Sequence, residues 1–274
     1  MLSVNTNSNA MTALQYLNKT QAELSKTQTA ISTGYKVASA KDDGATYAIA
    51  QNMRGNVAAY GAVTDSLNRG MSAVDVAMSA GQSISDLLVQ MKSKALSAAD
   101  SSLDTASRQA LNNDFTALRD QITTITKNAV FNGFNLVDGS TTQITAMAST
   151  DGTRKITVAA ENMKLSGSVV TVGKAGVIST AAKASTMIAT VQASLTNVNA
   201  SLAKLSSGAK KYSIQLDFAG KLSDTLTAGI GNLVDANLAS ESAKLTSLQT
   251  KQQLGVQALS IANSAPQSIL SLFQ

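Results

Sequence analysis

An apolar seam runs through the chain by alternate steps of four and three from Ile49 to Ala98. It passes through Met53, Asn56, Tyr60, Val63, Leu67, Gly70, Val74, Ala77, Gly81, Ile84, Leu88, Met91 and Ala95. Steps that average 3.5 residues hold one stripe against a partner helix along a left-handed supercoil. A helix of about 50 residues spans roughly 75 Å at 1.5 Å per residue. The mean globular helix has only about three turns, so the spacing predicts a rod of long helices. Rods serve structure, span or assembly.

Shorter seams flank the long one. Ala10, Leu14, Leu17, Gln21, Leu24, Gln28 and Ile31 predict a first helix ending at Gly34, and 34–44 reads as a linker. Within it, Ser39 with Asp42 three residues later is a candidate cap for the long helix. Leu111, Phe115, Leu118, Ile122, Ile125 and Ala129 predict a helix folding back on the long one, closed by the turn pair Asn132-Gly133. From 134 to 179 the texture changes to alternating runs broken by Gly. Strands over 143–148 and 154–158 around Asp151-Gly152 form a predicted hairpin, with a third piece over 169–172, exposed beside the rod. Helical spacing resumes from Ile188 to Leu216 and, after a phase change, from Leu222 to Leu233. A last helix repeats through Leu238, Leu245, Gln252 and Leu259, flanked by Leu248, Gly255 and Ala262, with Pro266 marking its end. The fold class is thus mainly α. It is an elongated antiparallel helical bundle with a small β-hairpin insertion.

Chemistry is nearly excluded. The sequence has no His and no Cys, which removes the commonest general base, the usual zinc ligands and every thiol nucleophile. Asp42-Asp43 sits at a helix start, where capping outweighs catalysis, and Gly139-Ser140 and Gly167-Ser168 lack a nucleophile-elbow context. No catalytic residue, cofactor or metal is expected. A net charge of +5 is spread singly, its densest pair being Lys210-Lys211, so nucleic acid is not an expected partner. No apolar run reaches the roughly 18 residues of a membrane span. The start has neither basic region nor cleavage-like site, so export would follow another route.

The ends are costly to order. Few large apolar side chains are spread over the first 33 residues, and their burial offsets only part of the backbone entropy lost. Such a segment is expected to order when another surface covers its seam. Gln21, Gln28 and Gln252 on these stripes are either solvent-tolerated spacers or register-setting polar contacts.

The ends resemble those of bacterial flagellin, the subunit of the flagellar filament. The likeness rests on Val4-Asn5-Thr6-Asn7, Ile31-Ser32-Thr33-Gly34, and Ser39-Ala40-Lys41-Asp42-Asp43-Gly44-Ala45 followed by Ala48-Ile49-Ala50. At the other end it rests on Glu241-Ser242-Ala243-Lys244-Leu245, on Leu248-Gln249-Thr250-Lys251-Gln252-Gln253-Leu254-Gly255, and on Gln257-Ala258-Leu259-Ser260-Ile261-Ala262-Asn263. The resemblance implies a polymerising, secreted filament protein for swimming, exported by the flagellar type III apparatus. It implies inner-tube parts at 1–43 and 234–274, whose N- and C-terminal helices pair as a coiled coil, rod halves at 44–133 and 181–233, and a β excursion at 134–180. Implied partners are other flagellin subunits, hook-associated junction and cap proteins and an export chaperone. Leu14, Leu17, Leu24, Ile31, Leu238, Leu245, Leu248 and Leu259 become the expected self-assembly seams.

Two departures from the family stand out. The large outer domains of many flagellins are replaced by some 45 residues, implying a slim filament, and a stretch read by a vertebrate immune receptor appears altered as Met91, Lys92, Ser93, Lys94 and Ala95. Loss of its Arg fork and acid weakens that recognition. Together they point to alphaproteobacterial flagellins. Ser140, Thr141, Thr150, Thr153 and Ser168 are candidate O-glycan acceptors, with plain solvated hydroxyls an equal reading. The hook–filament junction protein is the nearest alternative. A chemoreceptor hairpin would need neither the β excursion nor terminal seams, and a flagellin-borne metalloprotease would need a His pair.

Overall fold

A computed structural model describes residues 6–270, with backbone alone over 265–270. Five helices carry most of the chain: α1 (Ser8–Thr33), α2 (Gly44–Ala98), α3 (Thr105–Asn128), α4 (Ala181–Val234) and α5 (Leu238–Leu270). Four short strands lie between α3 and α4: β1 (Val130–Phe131), β2 (Phe134–Asn135), β3 (Gln143–Met147) and β4 (Lys155–Ala159). The chain divides into two compact units, residues 58–223 and residues 1–57 with 224–274.

In the 58–223 unit the seam of α2 is buried from Val63 onward. Val63, Leu67, Val74, Ala77, Ile84, Leu88, Met91, Ala95 and Ala98 are all buried. Their partners include Val191, Val198, Leu205 and Tyr212 of α4 and Phe115 and Ile122 of α3. The α2 and α4 helices run antiparallel. Gly70 faces Tyr212, Gly81 faces Leu202, and Lys92 Nζ donates to Gln192 Oε1 at 2.6 Å. The α3 helix folds back on α2 as predicted. Asp104 caps it by accepting from the Ser107 N–H at 2.8 Å, and the Arg108 guanidinium ties off the carbonyls of Ala98, Asp100 and Leu103.

The β3–β4 hairpin pairs Gln143 with Ala159 through Met147 with Lys155. It is no exposed appendage: Ala146 and Val158 are buried, and a Cβ placed on Gly208 would meet Val158 at 2.6 Å. Only a glycine lets α4 approach that strand so closely. The Tyr212 ring lies under both strands with its hydroxyl 3.3 Å from the Ile144 carbonyl and 3.4 Å from that of Ile156. Burial pushes its phenol up to about 12. The predicted third piece, 169–172, forms no strand. Val169, Val170 and Val172 are buried; from α4, Ser194 Oγ accepts from the Thr171 N–H and Asn197 Nδ2 donates to the Val169 carbonyl, while the Val170 and Val172 carbonyls accept from the Gly167 and Ser166 N–H groups. One side-chain acceptor and one side-chain donor of α4 thus stand where a sheet partner would.

In the other unit, Gly34 ends α1 in the left-handed region at φ 76. Ser39 does not cap α2. Asp43 does so, accepting from the Ala45 and Thr46 N–H groups at 3.1 Å and from the Thr46 hydroxyl at 2.6 Å. That hydroxyl first, then the backbone N–H of Thr46, holds Asp43 below the usual carboxylate range. Asp42 closes the preceding turn by accepting from Ser39. The predicted linker is packed: Lys36 and Val37 N–H donate to the Val234 carbonyl, Tyr35 bridges Asp235, and Val37, Ala50 and Val234 form a small core. The seam of α2 fades at this end, where Ile49 is exposed and Ala50 is buried in its place.

Candidate functional site

The region to which the sequence assigns assembly is the pair α1 and α5. The helices run antiparallel: Asn7 meets Ala262, Leu17 meets Gly255, and Gln252 Nε2 donates to Gln21 Oε1 at 2.6 Å. That glutamine pair spans the two helices, whereas Gln28 is exposed. The buried stripe of α1 is narrower than the bulkiest residues suggested. Leu24, Thr27 and Ala30 are buried and Leu17 and Ile31 half-buried, while Leu14 remains 46 % exposed. On α5, Leu248 is buried, Leu245 and Leu259 half-buried and Leu238 50 % exposed. Thr27 is buried, and its hydroxyl has no hydrogen-bond partner. An unpaired buried hydroxyl costs about 1–3 kcal/mol, so this pairing is weaker than its length suggests.

One contact was not foreseen. Asn7 caps α1 by accepting from the Ala10 N–H at 3.0 Å, while its amide donates to the Ala262 carbonyl at 2.7 Å. The α5 helix continues through Pro266 to Leu270 instead of ending there. Proline has no N–H, so the carbonyl four residues earlier, that of Ala262, loses its intrahelical donor. Asn7 supplies a substitute, which helps the helix run past the proline. A proline late in one seam with an asparagine before the other is the signal that sequence reasoning left unused.

The remaining surface of the pair is apolar. Met11, Tyr16, Leu254, Val256 and Ile261 are each more than half exposed, Ile261 by 70 %. An open hollow of about 470 Å³ lies along the pair, lined by Tyr16, Leu17, Lys19, Thr20, Lys251 and Leu254 among others. No group of His, Cys, Asp or Glu able to hold a metal occurs among the described residues. No described helix is long and apolar enough to cross a membrane.

The other singled-out residues lie in the 58–223 unit. Met91 and Ala95 are buried, Ser93 is exposed, Lys92 is bonded to Gln192, and Lys94 pairs with Asp114 at 2.6 Å. Ser140 Oγ donates to Asp138 at 2.5 Å and Thr153 Oγ1 to Asp151 at 2.7 Å, whereas Thr150 and Ser168 are exposed and Thr141 half-buried. The Ser149 hydroxyl, then that of Thr153, holds Asp151 at about 2.

An exposed apolar side along a pair of long helices is the mark of a self-assembling subunit. Residues 4–142 match the bacterial flagellin N-terminal helical region and residues 188–273 the C-terminal helical region. The chain is 53 % identical to flagellin FljM of Caulobacter vibrioides over 99 % of its own length and 98 % of that protein's. It is 37 % identical to a flagellin of Brucella melitensis, both chains being covered in full. A crystal structure of Bacillus cereus flagellin matches with a TM-score of 0.49 at 22 % identity, over 55 % of this chain and 86 % of that one. The chain belongs to the bacterial flagellin family, on its alphaproteobacterial side, and is a structural subunit of the flagellar filament. Full-length likeness to filament flagellins favours this over the hook–filament junction protein. Flagellins polymerise with other flagellin subunits, and the family forms an extracellular filament.

Proposed function

We propose that α1 and α5 are the inner-tube parts of the subunit and that neighbouring copies cover their seams. The observation that carries this is the exposed apolar side of the pair, from Met11, Leu14 and Tyr16 to Leu254, Val256 and Ile261. Exposed apolar area of this extent marks an interaction surface. Leu14, Leu17, Leu24, Ile31, Leu238, Leu245, Leu248 and Leu259 are the assembly residues on this proposal, some through the pair and some through its open side. The chain halves at 44–133 and 181–233 serve as rod and 134–180 as its outer face. The protein has no enzymatic role, and it travels through the type III apparatus with a chaperone before meeting the junction and cap proteins.

Removing residues 1–33 or 240–274 tests this directly. Each truncated protein is expected to stay a soluble helical monomer under conditions that polymerise the full chain. Long filaments of either one by electron microscopy would overturn the assignment. Lys92 and Lys94, each already tied to a side chain of its own subunit, support weak binding by the immune receptor. For glycosylation, a subunit mass of 28.2 kDa measured on chains from purified filament would count against modification at Ser140, Thr141, Thr150, Thr153 or Ser168.

A further inference from the structure

The sequence holds one Asn-Gly pair, Asn132-Gly133, and the fold places it at the tip of the β1–β2 hairpin. Phe131 pairs with Phe134, so the two residues form a two-residue turn, with φ 48 at Asn132 and 83 at Gly133. Positive φ at both centres is what a twisted hairpin turn demands. Both residues are exposed, and a Cβ added to Gly133 would meet nothing within 4 Å. The Asn132 side chain takes part in none of the hydrogen bonds among the described residues. Asn135, three residues on, is the internal contrast. It is buried, its amide donates to the Thr126 carbonyl at 2.7 Å, and its oxygen accepts from the Val137 and Asp138 N–H groups.

We propose that Asn132 is a site of self-modification, at which the chain converts its own amide to an acid and in part rearranges its backbone. The Gly133 backbone nitrogen gives up its proton to solvent base and attacks Asn132 Cγ. The new N–Cγ bond closes a five-membered imide as the Cγ–Nδ2 bond breaks, and the amide leaves as ammonia carrying a solvent proton. Water then adds to one of the two imide carbonyls and breaks its bond to nitrogen, giving aspartate or the β-linked isoaspartate. No redox partner is needed. Glycine is the permissive neighbour because no side chain shields its nitrogen. The attack requires the turn to open, and strands of two residues each are cheaply opened.

The product does not fit the turn it came from. An isoaspartate lengthens the backbone by one carbon inside a turn whose pairing depends on two central residues. The new carboxylate also enters a hollow of about 450 Å³ lined by Ser66, Arg69, Phe131 and Phe134, where the Arg69 charge favours it.

The experiment incubates the purified full-length chain at mildly alkaline pH beside a synthetic peptide of residues 128–138 and the variant N132Q. The tryptic peptide between Lys127 and Arg154 is then weighed, sequenced and labelled with an isoaspartyl methyltransferase. The expected result is the mass gain of amide-to-acid exchange at position 132, with isoaspartyl label there. It should proceed faster as pH rises and more slowly than in the free peptide, and should be absent in N132Q. The proposal fails if the protein keeps its amide at 132 after the synthetic peptide is fully converted. It fails equally if the acid appears at Asn128 or Asn135 instead.

Discussion

The two units spend the same kind of sequence differently. From Val63 to Ala98 every apolar position on the α2 stripe finds a partner within the 58–223 unit, whose core joins three helices and the hairpin. Along α1 and α5 the stripes are just as regular, yet Leu24 and Leu248 are the fully buried leucines and several larger groups face outward. Heptad spacing therefore announces that a helix wants a neighbour, not that its own chain provides one. A unit that closes on itself is a folded body, and one that leaves its seam half-covered is a folded request for more protein.

The largest test of this contrast compares Leu88→Ala with Leu248→Ala. The first should destabilise the 58–223 unit by about 2–5 kcal/mol, seen as a shift of the main urea transition of the monomer. The second should leave that transition in place and instead raise the concentration needed for polymerisation. Equal shifts of the monomer transition would erase the distinction. Leu245→Asp should abolish filaments while sparing monomer helicity, because a packed contact tolerates a charge poorly.

Tyr212→Phe probes the hairpin seat more gently, with an expected loss of about 1 kcal/mol from the missing hydroxyl contact. It should also remove an alkaline weakness. With the folded phenol raised to about 12, its contribution is intact below the ordinary value near 10 and is lost as pH climbs through 12. Asp151 works in the opposite range. Its folded acid lies at about 2, so its contribution to the hairpin is full above the ordinary value near 3.9 and fades as pH falls toward 2. Amide exchange in β3 and β4 followed from pH 5 to acid should show the fading in the native chain and not in Asp151→Asn. Smallest of all, Lys94→Met should cost less than about 1 kcal/mol, because its pair with Asp114 is solvated.

Helix order and the folding back of α3 on α2 were legible because period 3.5 is a property of the side-chain order alone, whereas the pairing of α1 with α5 was read from the family likeness. The β3–β4 hairpin was legible for the same reason, through alternation around Asp151-Gly152. What sequence could not rank was competition for partners. Val169–Val172 has strand composition, but the hydroxyl of Ser194 and the amide of Asn197 reached its backbone first. Asp43 outcompeted Ser39 as the cap because its carboxylate reaches two N–H groups and a hydroxyl at once. In α1 bulk misled: Thr27 and Ala30 take the positions of close approach while Leu14, though larger, is left half outside.

The Asn7 amide on the Ala262 carbonyl deserves its own reckoning. Along the middle of an ordinary helix every carbonyl already accepts from an intrahelical N–H, so two leucine-striped helices can slide by a turn and find nearly equal comfort. A single acceptor freed by Pro266 exists at one height only, and sliding would strand both that oxygen and the amide. Closure of α1 onto α5 is thereby indexed like a key with one notch, so every copy within a polymer would hold the pair at the same height.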